Sequence, residues 1–155
     1  MKKRLFLMLV LTLVLTSLLT SCTSLGPPPV VMSASEKMEA ANLAVVEGFF
    51  KALVEEKDAE AVGTYLSDDF VSHTAGVEGK QGMMDFADWQ AENDPGAGIV
   101  EIFHKLAQGD TVVWHYSYGS NPAQKADLMI TDFFTVKDGK IVAYWDVLAP
   151  IEAGE

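Results

Sequence analysis

The stretch that decides the fold is the last hairpin of the chain, which reads LMITDFFTV at 128–136, KDGK at 137–140 and IVAYWDVL at 141–148. Every second residue of its first strand is apolar, except that Asp132 stands in the middle of the series Leu128, Ile130, Phe134 and Val136. Because a strand buries one face by alternation, Asp132 is predicted to lie on the buried face. Burying an unpaired charge is costly, so this carboxylate must have a structural or chemical role.

The turn between the two strands decides which side chains accompany Asp132. A two-residue turn would set Asp132 opposite Trp145, whereas a three-residue loop at 137–139 would shift the register by one residue. Asp132 would then face Tyr144, and Asp146 would lie on the same side, since a one-residue shift moves every side chain to the other face. We predict the three-residue loop, because Gly139 as its last member suits a bulge.

The first 22 residues resemble a bacterial lipoprotein signal. A basic segment, KKR at 2–4, precedes an almost unbroken apolar run at 5–19. That run is shorter than the roughly 20 residues of a membrane-spanning helix, which favours a signal peptide over a membrane anchor. The sequence LTSC at 19–22 resembles a lipobox, whose cysteine becomes the lipidated first residue. We therefore predict that Cys22, the only cysteine, carries the lipid (palmitate), although an ordinary secretory signal would also fit the apolar run.

The rest of the chain divides into a lipidated tether at 22–34, one domain at 35–150 and an acidic tail at 151–155. Without the signal peptide at 1–21, which holds three of the 11 basic residues and no acidic one, the net charge is −14 and no arginine remains. This balance argues against nucleic acid, which requires a basic surface. The predicted location is the cell envelope, lipid-anchored and facing outside the cytoplasm, in the periplasm or at the cell surface.

Helices are predicted to precede strands in the domain. Helical spacing predicts one helix after the capping box at Ser33–Glu36, a short second helix at 59–66 and a third at about 83–91. Strands are predicted at 99–108, 111–118, 127–136 and 141–148, which gives an α+β class. The helices can cover only one face of this aromatic sheet, so a homodimer through the other, convex face is predicted.

The order of these motifs resembles the SnoaL-like family of the nuclear transport factor 2-like superfamily. The resemblance rests on NLAVV at 42–46 through Phe50, KDAEA at 57–61, AQGDTVVWH at 107–115, DFFTVKDGKIV at 132–142 and YWDV at 144–147. It implies a cone-shaped, cystatin-like fold in which three N-terminal helices pack on a strongly curved, mainly antiparallel sheet around a pocket. Proteins with this fold include cofactor-free polyketide cyclases, ketosteroid isomerases, dehydratases and binding modules, so the fold alone does not give the function.

The resemblance also implies a site around Asp132, because SnoaL-like cyclases use an aspartate for proton transfer. An apolar pocket should raise the pKa of Asp132, which suits a general acid or base near neutral pH. His73 is predicted at the mouth of the pocket as a second catalytic residue, in SHTA at 72–75 where relatives carry Gln-His-Asn-Pro. The other predicted pocket residues are Tyr144, Asp146, Phe134 and His115, the last of which would bond Asp132 or Asp146.

No metal or cofactor is predicted, since the three histidines lack the spacing of metal ligands. Three functions remain open. The first is a cofactor-free isomerase, cyclase or lyase acting on a small, largely apolar carbonyl compound, with His73, Tyr144 or His115 bonding the oxyanion. The second is a binding module for an apolar ligand, and the third is an interaction domain of the envelope with a vestigial pocket.

Overall fold

The computed structural model describes residues 31–123 and 125–151. The predicted signal peptide, Cys22 and most of the tether and of the acidic tail lie outside these residues. Among the helices that the structure describes, none is both long and apolar enough to cross a membrane.

The described residues form three α-helices: α1 (Ala34–Phe50), α2 (Ala59–Tyr65) and α3 (Gly79–Asn93). The predicted capping box begins α1, since the Ser33 side chain accepts from the Glu36 N–H and the Glu36 carboxylate accepts from the Ser33 N–H. A π-helical segment, Lys51–Glu56, continues α1 and was not predicted. Such segments occur often at functional sites because they displace the side chains of one turn.

Helix α3 begins four residues earlier than predicted, at Gly79 instead of Met83. The glycines at 79 and 82 reduce helix propensity, which is why the sequence suggested a later start. Tertiary packing overrides that preference, since a Cβ on Gly82 would lie only 3.3 Å from the backbone carbonyl carbon of Val77. The close approach of these two segments therefore explains the glycine.

In the part of the chain that the structure describes, five strands form one mixed sheet: β1 (Leu66–Ser72), β2 (Gly98–Gln108), β3 (Thr111–Gly119), β4 (Leu128–Lys137) and β5 (Lys140–Pro150). Their order is β1-β5-β4-β3-β2, with β1 parallel to β5 and the other pairs antiparallel. The four strands predicted after the helices begin and end within two residues of the predicted bounds. The predicted α+β class is confirmed.

The helices pack on the face that carries the even-numbered residues of β3 and β4. Phe50 of α1 stacks on Trp114 with ring centroids 4.2 Å apart, and Phe49 meets the edge of Phe134 at 5.8 Å. Phe49 and Phe134 are almost fully buried. This aromatic layer fixes which face of the sheet is covered and which is exposed.

The hairpin turn between β4 and β5 differs from the prediction. Lys137 pairs with Lys140, so the turn has two residues, Asp138 and Gly139. Both have positive φ angles, 50° and 73°, as a type I′ turn requires. The predicted three-residue loop is therefore wrong, because Asp-Gly satisfies the tighter turn directly.

The register shift lies in β5 instead of in the turn. Thr135 pairs with Ala143 while Val136 pairs with Ile141, which leaves Val142 as the extra residue of a bulge. As a result, Asp132 lies opposite Asp146. The predicted pairing of Asp132 with Tyr144 is wrong, since Tyr144 lies opposite Phe134. The predicted side is correct, because an offset of two residues leaves Tyr144 and Asp146 on the face of Asp132.

Candidate functional site

A cavity of about 160 Å³ lies between the helices and the covered face of the sheet. Most of its wall is apolar and comes from the π-helical segment, α3 and β4, for example Leu53, Met83, Phe86 and Ile130. Its polar wall residues are Asp132, Tyr116, Tyr144, Asp146, Thr74, Gln90 and Tyr118. An apolar cavity with a few converging polar groups is the usual form of a small-molecule site.

Asp132 is the buried carboxylate of this cavity, with only 1% of its surface exposed. The Tyr116 hydroxyl donates to its Oδ2 at 2.8 Å, and the Tyr144 hydroxyl donates to its Oδ1 at 3.1 Å. Among the described residues, no lysine or histidine forms an ion pair with Asp132. Its charge is therefore held by neutral donors alone.

This environment controls the protonation of the three groups. Burial raises the pKa of Asp132 from 3.8 to about 7, and the negative charge of Asp146 acts in the same direction, whereas the two tyrosine hydrogen bonds oppose the shift. Burial also raises the pKa of Tyr116 and of Tyr144 well above 10, so both remain hydrogen-bond donors. Asp132 can thus accept or release a proton near neutral pH.

Thr74 and Asp146 complete the polar end of the cavity. The Thr74 hydroxyl donates to Asp146 Oδ1 at 2.9 Å. The loop that carries Thr74 is fixed to β5 by the His73 N–H, which donates to the Tyr144 carbonyl oxygen at 2.9 Å. Thr74, instead of the neighbouring His73, therefore supplies a side chain to the cavity.

His73 does not face the cavity, contrary to the prediction. Its imidazole is exposed and stacks on Trp145, with ring centroids 4.5 Å apart and planes inclined by 4°. Trp145 belongs to the exposed face of β5, which is why its partner lies there too. The structure therefore separates His73 from Asp132.

His115 also lies on the exposed face, so the predicted bond from His115 to Asp132 or Asp146 is wrong. Trp114 and Tyr116 point to the helices, and alternation directs His115 away from them. Its Nδ1 lies 3.3 Å from Nδ1 of His104 on β2. The prediction correctly placed His115 on the face opposite Trp114 and Tyr116. It was wrong about the cavity, which lies on the face of Trp114 and Tyr116.

Phe134 packs against Tyr144 and does not line the cavity. Its side chain is fully buried and contacts the Tyr144 ring, with centroids 5.1 Å apart. The predicted pocket role of Phe134 is therefore replaced by a role in positioning Tyr144. Tyr144 and Asp146 do line the cavity, together with Asp132.

Four polar residues of the cavity wall were not predicted there: Thr74, Gln90, Tyr116 and Tyr118. Gln90 follows Met83 and Ala87 at positions i, i+4 and i+7, which places it on the buried stripe of α3. A glutamine on such a stripe is a signal that helical spacing could have revealed. Tyr118 stands two residues after Tyr116 and hence on the same face of β3.

A wider groove of about 740 Å³ lies between the end of α1, the π-helical segment and β2. It is more open, and its charged groups include the exposed pair Lys105 and Glu47, whose Nζ and Oε1 atoms lie 2.8 Å apart. It contains no buried carboxylate among the described residues, so the cavity around Asp132 is the better candidate. Nor do the described residues bring together three histidine, cysteine, aspartate or glutamate side chains able to hold a metal ion.

Comparison with known proteins supports the assignment of the fold. The sequence profile of the SnoaL-like domain matches residues 46–144. Solved structures similar to this chain include a candidate polyketide cyclase from Bacillus cereus, with 24% identity, a TM-score of 0.61 and coverage of 74% of this chain and 78% of that chain. No curated protein sequence matches the chain.

Other similar structures carry different names. A candidate isomerase of the SnoaL-like family from Agrobacterium tumefaciens has 17% identity and a TM-score of 0.59, covering 71% of this chain and 98% of that chain. An LEH-like epoxide hydrolase from M. tuberculosis has 21% identity and a TM-score of 0.54, covering 72% of this chain and 84% of that chain. At these identities the likeness shows a common fold and leaves the reaction open.

Proposed function

Because the chain belongs to the SnoaL-like domain family, we propose that its cavity binds a small, largely apolar carbonyl compound on which Asp132 transfers a proton without a cofactor. The observation that carries this proposal is a carboxyl group buried in an apolar cavity with tyrosine hydroxyls as its hydrogen-bond donors. Such an environment keeps the pKa of Asp132 near 7, where a carboxylate is a stronger base than an exposed aspartate. The names of the similar structures, a cyclase, an isomerase and an epoxide hydrolase, are compatible with acid–base chemistry.

In the proposed reaction, one negative charge moves from Asp132 to the oxygen of the substrate and back. Ionised Asp132 takes a proton from the carbon next to the carbonyl group, the C–H electron pair forms the enolate, and Asp132 becomes neutral. A neutral carboxyl accepts hydrogen bonds more weakly than a carboxylate. The hydroxyl of Tyr144 can then donate to the enolate oxygen instead, which stabilises the intermediate. Return of the proton to a conjugated carbon completes an isomerisation. Exchange at the original carbon requires that the Asp132 carboxyl first release its proton to the solvent and take up a solvent deuteron, which it then returns to that carbon.

The size of the cavity restricts the compound. An engineered cavity of about 150 Å³ in another protein holds one benzene molecule, whereas pockets for drug-sized ligands measure about 300–1,000 Å³. The volume of about 160 Å³ therefore fits a single six-membered ring or a short branched chain. A fused polyketide would need a much larger opening of the structure.

A binding protein without catalysis is the second candidate. Both oxygens of Asp132 already accept tyrosine hydrogen bonds, which is the arrangement expected of a carboxyl group that only shapes the cavity. The third hypothesis, an interaction domain of the envelope with a vestigial pocket, would be favoured by an Asp132 sealed by Tyr144 and His115 with no void. It is disfavoured because the wall of an open space includes Asp132 and excludes His115.

Exchange of α-protons in D₂O tests the proposal without knowledge of the natural substrate. The full-length chain is mixed with cyclohexanone or a similar single-ring ketone, and loss of the α-proton NMR signal is followed between pH 5 and 9. We expect catalysed exchange whose rate rises as Asp132 ionises and levels off above pH 7. Ketones that bind without accelerated exchange would favour the binding candidate instead.

We further propose that the lipid on Cys22 anchors this domain outside the cytoplasm. The support is the LTSC sequence after the apolar run and the absence of any other cysteine in the chain. Expressed in bacteria with alkyne-labelled palmitate, the wild-type chain should carry the label at Cys22 and begin at that residue in mass spectrometry. Cys22→Ser should carry no label and retain residues 1–21. A labelled Cys22→Ser chain would contradict the anchor.

We also propose a homodimer through the exposed sheet face. Phe133, Trp145, Val147 and Leu106 are each at least 38% exposed on this face, although the chain as a whole is strongly acidic. Among the side chains that β3, β4 and β5 direct to this face between their ends, none is charged. A second copy can therefore cover the centre of this face without charge repulsion. Glu101 of the edge strand β2, opposite Ser117, lies at the margin of the face, and the acidic remainder of the surface would repel a second copy.

Trp145→Glu tests the dimer, because it places a charge in the centre of each face. Loss of a central tryptophan from an interface weakens association by at least about 30-fold, which sedimentation equilibrium of the full-length chain would detect as monomer. Trp89→Glu is the matched control, since Trp89 is 53% exposed on α3. A wild-type chain that is monomeric at every concentration would refute the dimer.

A further inference from the structure

A second polar pair lies in the wall of the same cavity. Gln90 is only 6% exposed, and its Nε2 donates to the Tyr118 hydroxyl oxygen at 3.1 Å. The Gln90 Oε1 atom is buried and has no hydrogen-bond partner among the described residues. Buried polar atoms are almost always paired, so an unpaired acceptor in a cavity wall indicates a missing donor.

The missing partner can be identified from what the pair offers. Tyr118 accepts the Gln90 hydrogen bond and, within the described residues, donates to no acceptor. The pair therefore presents one unpaired acceptor, Gln90 Oε1, beside free donors, which are the Tyr118 O–H and the second Gln90 N–H. If the amide oxygen and nitrogen of Gln90 were exchanged, Tyr118 would donate the shared hydrogen bond instead of accepting it. The pair would still offer both a free donor and a free acceptor. A hydroxyl group, which donates and accepts, satisfies the pair in either orientation.

A charged group would fit less well. Burial raises the pKa of Tyr118 to about 12, and the negative charge of Asp94 acts in the same direction, so the phenol remains neutral. No lysine bonds Gln90 or Tyr118 among the described residues, and the Asp94 charge would repel an anion. The pair is therefore suited to a neutral partner.

The pair is separated from Asp132 along the sheet. Tyr118 lies opposite Leu128, four residues before Asp132 on the same strand. At the rise of a strand, the two backbone positions are roughly 13 Å apart, with the apolar Ile130 between them. The cavity thus has two polar ends joined by an apolar middle.

We propose that the natural ligand of this cavity carries a hydroxyl group, bound by Gln90 and Tyr118, at the end opposite the group that faces Asp132. The position of the carbonyl group at Asp132 rests on the function proposed above, whereas the hydroxyl site does not. The ligand class is a hydroxylated single-ring or short-chain compound. Gln90 is then the residue that selects it from its apolar analogue.

A pair of ketones of nearly equal shape tests this inference. Binding of 4-hydroxycyclohexanone and 4-methylcyclohexanone to the full-length chain is measured by titration calorimetry. The wild-type chain should prefer the hydroxyl compound by about tenfold, because only that compound pairs the buried amide. Gln90→Leu, which keeps the size of the side chain, should abolish or reverse the preference. Gln81→Leu, at an exposed position of the same helix, should leave it unchanged.

Three further outcomes keep the test decisive. Equal binding of the two ketones to the wild-type chain would mean that water already pairs Gln90, and would overturn the inference. If Gln90→Leu does not fold, Tyr118→Phe replaces it and should lower the preference by at least threefold. Repeating the titration with Asp132→Asn separates the two proposals, since the hydroxyl preference should persist there even if Asp132 proves to have no catalytic role.

Discussion

Asp132→Asn should slow α-proton exchange of a bound ketone by about 10²–10⁴-fold, the usual contribution of a general base. Asparagine has nearly the same shape and can keep both tyrosine contacts, because a hydroxyl group can accept from the amide as well as donate to it. The fold and the affinity for the ketone should therefore change little. The measurement is the NMR exchange rate at pH 8, with the affinity determined separately by calorimetry.

The first controls for this prediction are two histidines that were predicted in the site and that lie on the exposed face of the sheet. His73→Ala and His115→Ala remove the imidazoles from the exposed face and should leave the exchange rate within about twofold, as for surface substitutions away from a site. Asp138→Asn changes an exposed aspartate of the β4–β5 turn and should also have no effect. An Asp132→Asn chain that binds the ketone and keeps the wild-type rate would refute the catalytic role.

The position of Asp132 could be predicted because it depends on local alternation. The series Leu128 to Val136 identifies one buried face of β4, and the structure buries Asp132 on that face. The strand bounds were predictable for the same reason, since Gly109-Asp110 and Asp138-Gly139 mark the turns. These features are encoded within a few neighbouring residues.

The register of β5 could not be predicted in the same way. The bulge at Val142 lies in a strand that also pairs in parallel with β1, and that second pairing contains its own irregularity between Leu66 and Val71. That pairing joins residues far apart in sequence, and the turn residues carry no information about it. The correct face for Tyr144 and Asp146 was therefore predicted through an incorrect turn.

The faces of β3 were ambiguous because both carry ring side chains. Trp114 and Tyr116 alternate with His115, and alternation alone does not tell which set the helices will cover. Stacking of Phe50 on Trp114 decides the question, and this contact joins α1 to β3. The misplacement of His115 follows from that missing tertiary information.

The cavity places the carboxyl group of Asp132 within an apolar core. Burial of that group in its charged form costs free energy, whereas the apolar core stabilises the fold. A carboxyl group whose pKa is raised by burial binds its proton more tightly in the folded than in the unfolded state. The same shift that makes Asp132 a useful base must therefore reduce the stability of the folded state once the proton is lost. Activity and stability should respond to pH in opposite directions.

Asp132→Asn should accordingly stabilise the protein, and the gain should grow with pH. The pKa of Asp132 is about 7 in the folded chain, against 3.8 for an unperturbed aspartate. Below pH 4 the folded and unfolded states both hold the proton, so the stability of the variant exceeds that of the wild-type chain least. Above pH 7 the wild-type chain loses up to about 4 kcal/mol of unfolding free energy relative to its protonated form. Urea unfolding of the full-length chains at pH 4, 5.5, 7 and 8.5 measures this difference. Asp138→Asn is the control, because it makes the same substitution at an exposed position of the β4–β5 turn. A variant less stable than the wild-type chain at pH 8.5 would show that the ionised carboxylate stabilises the fold, and Asp132 would then be structural.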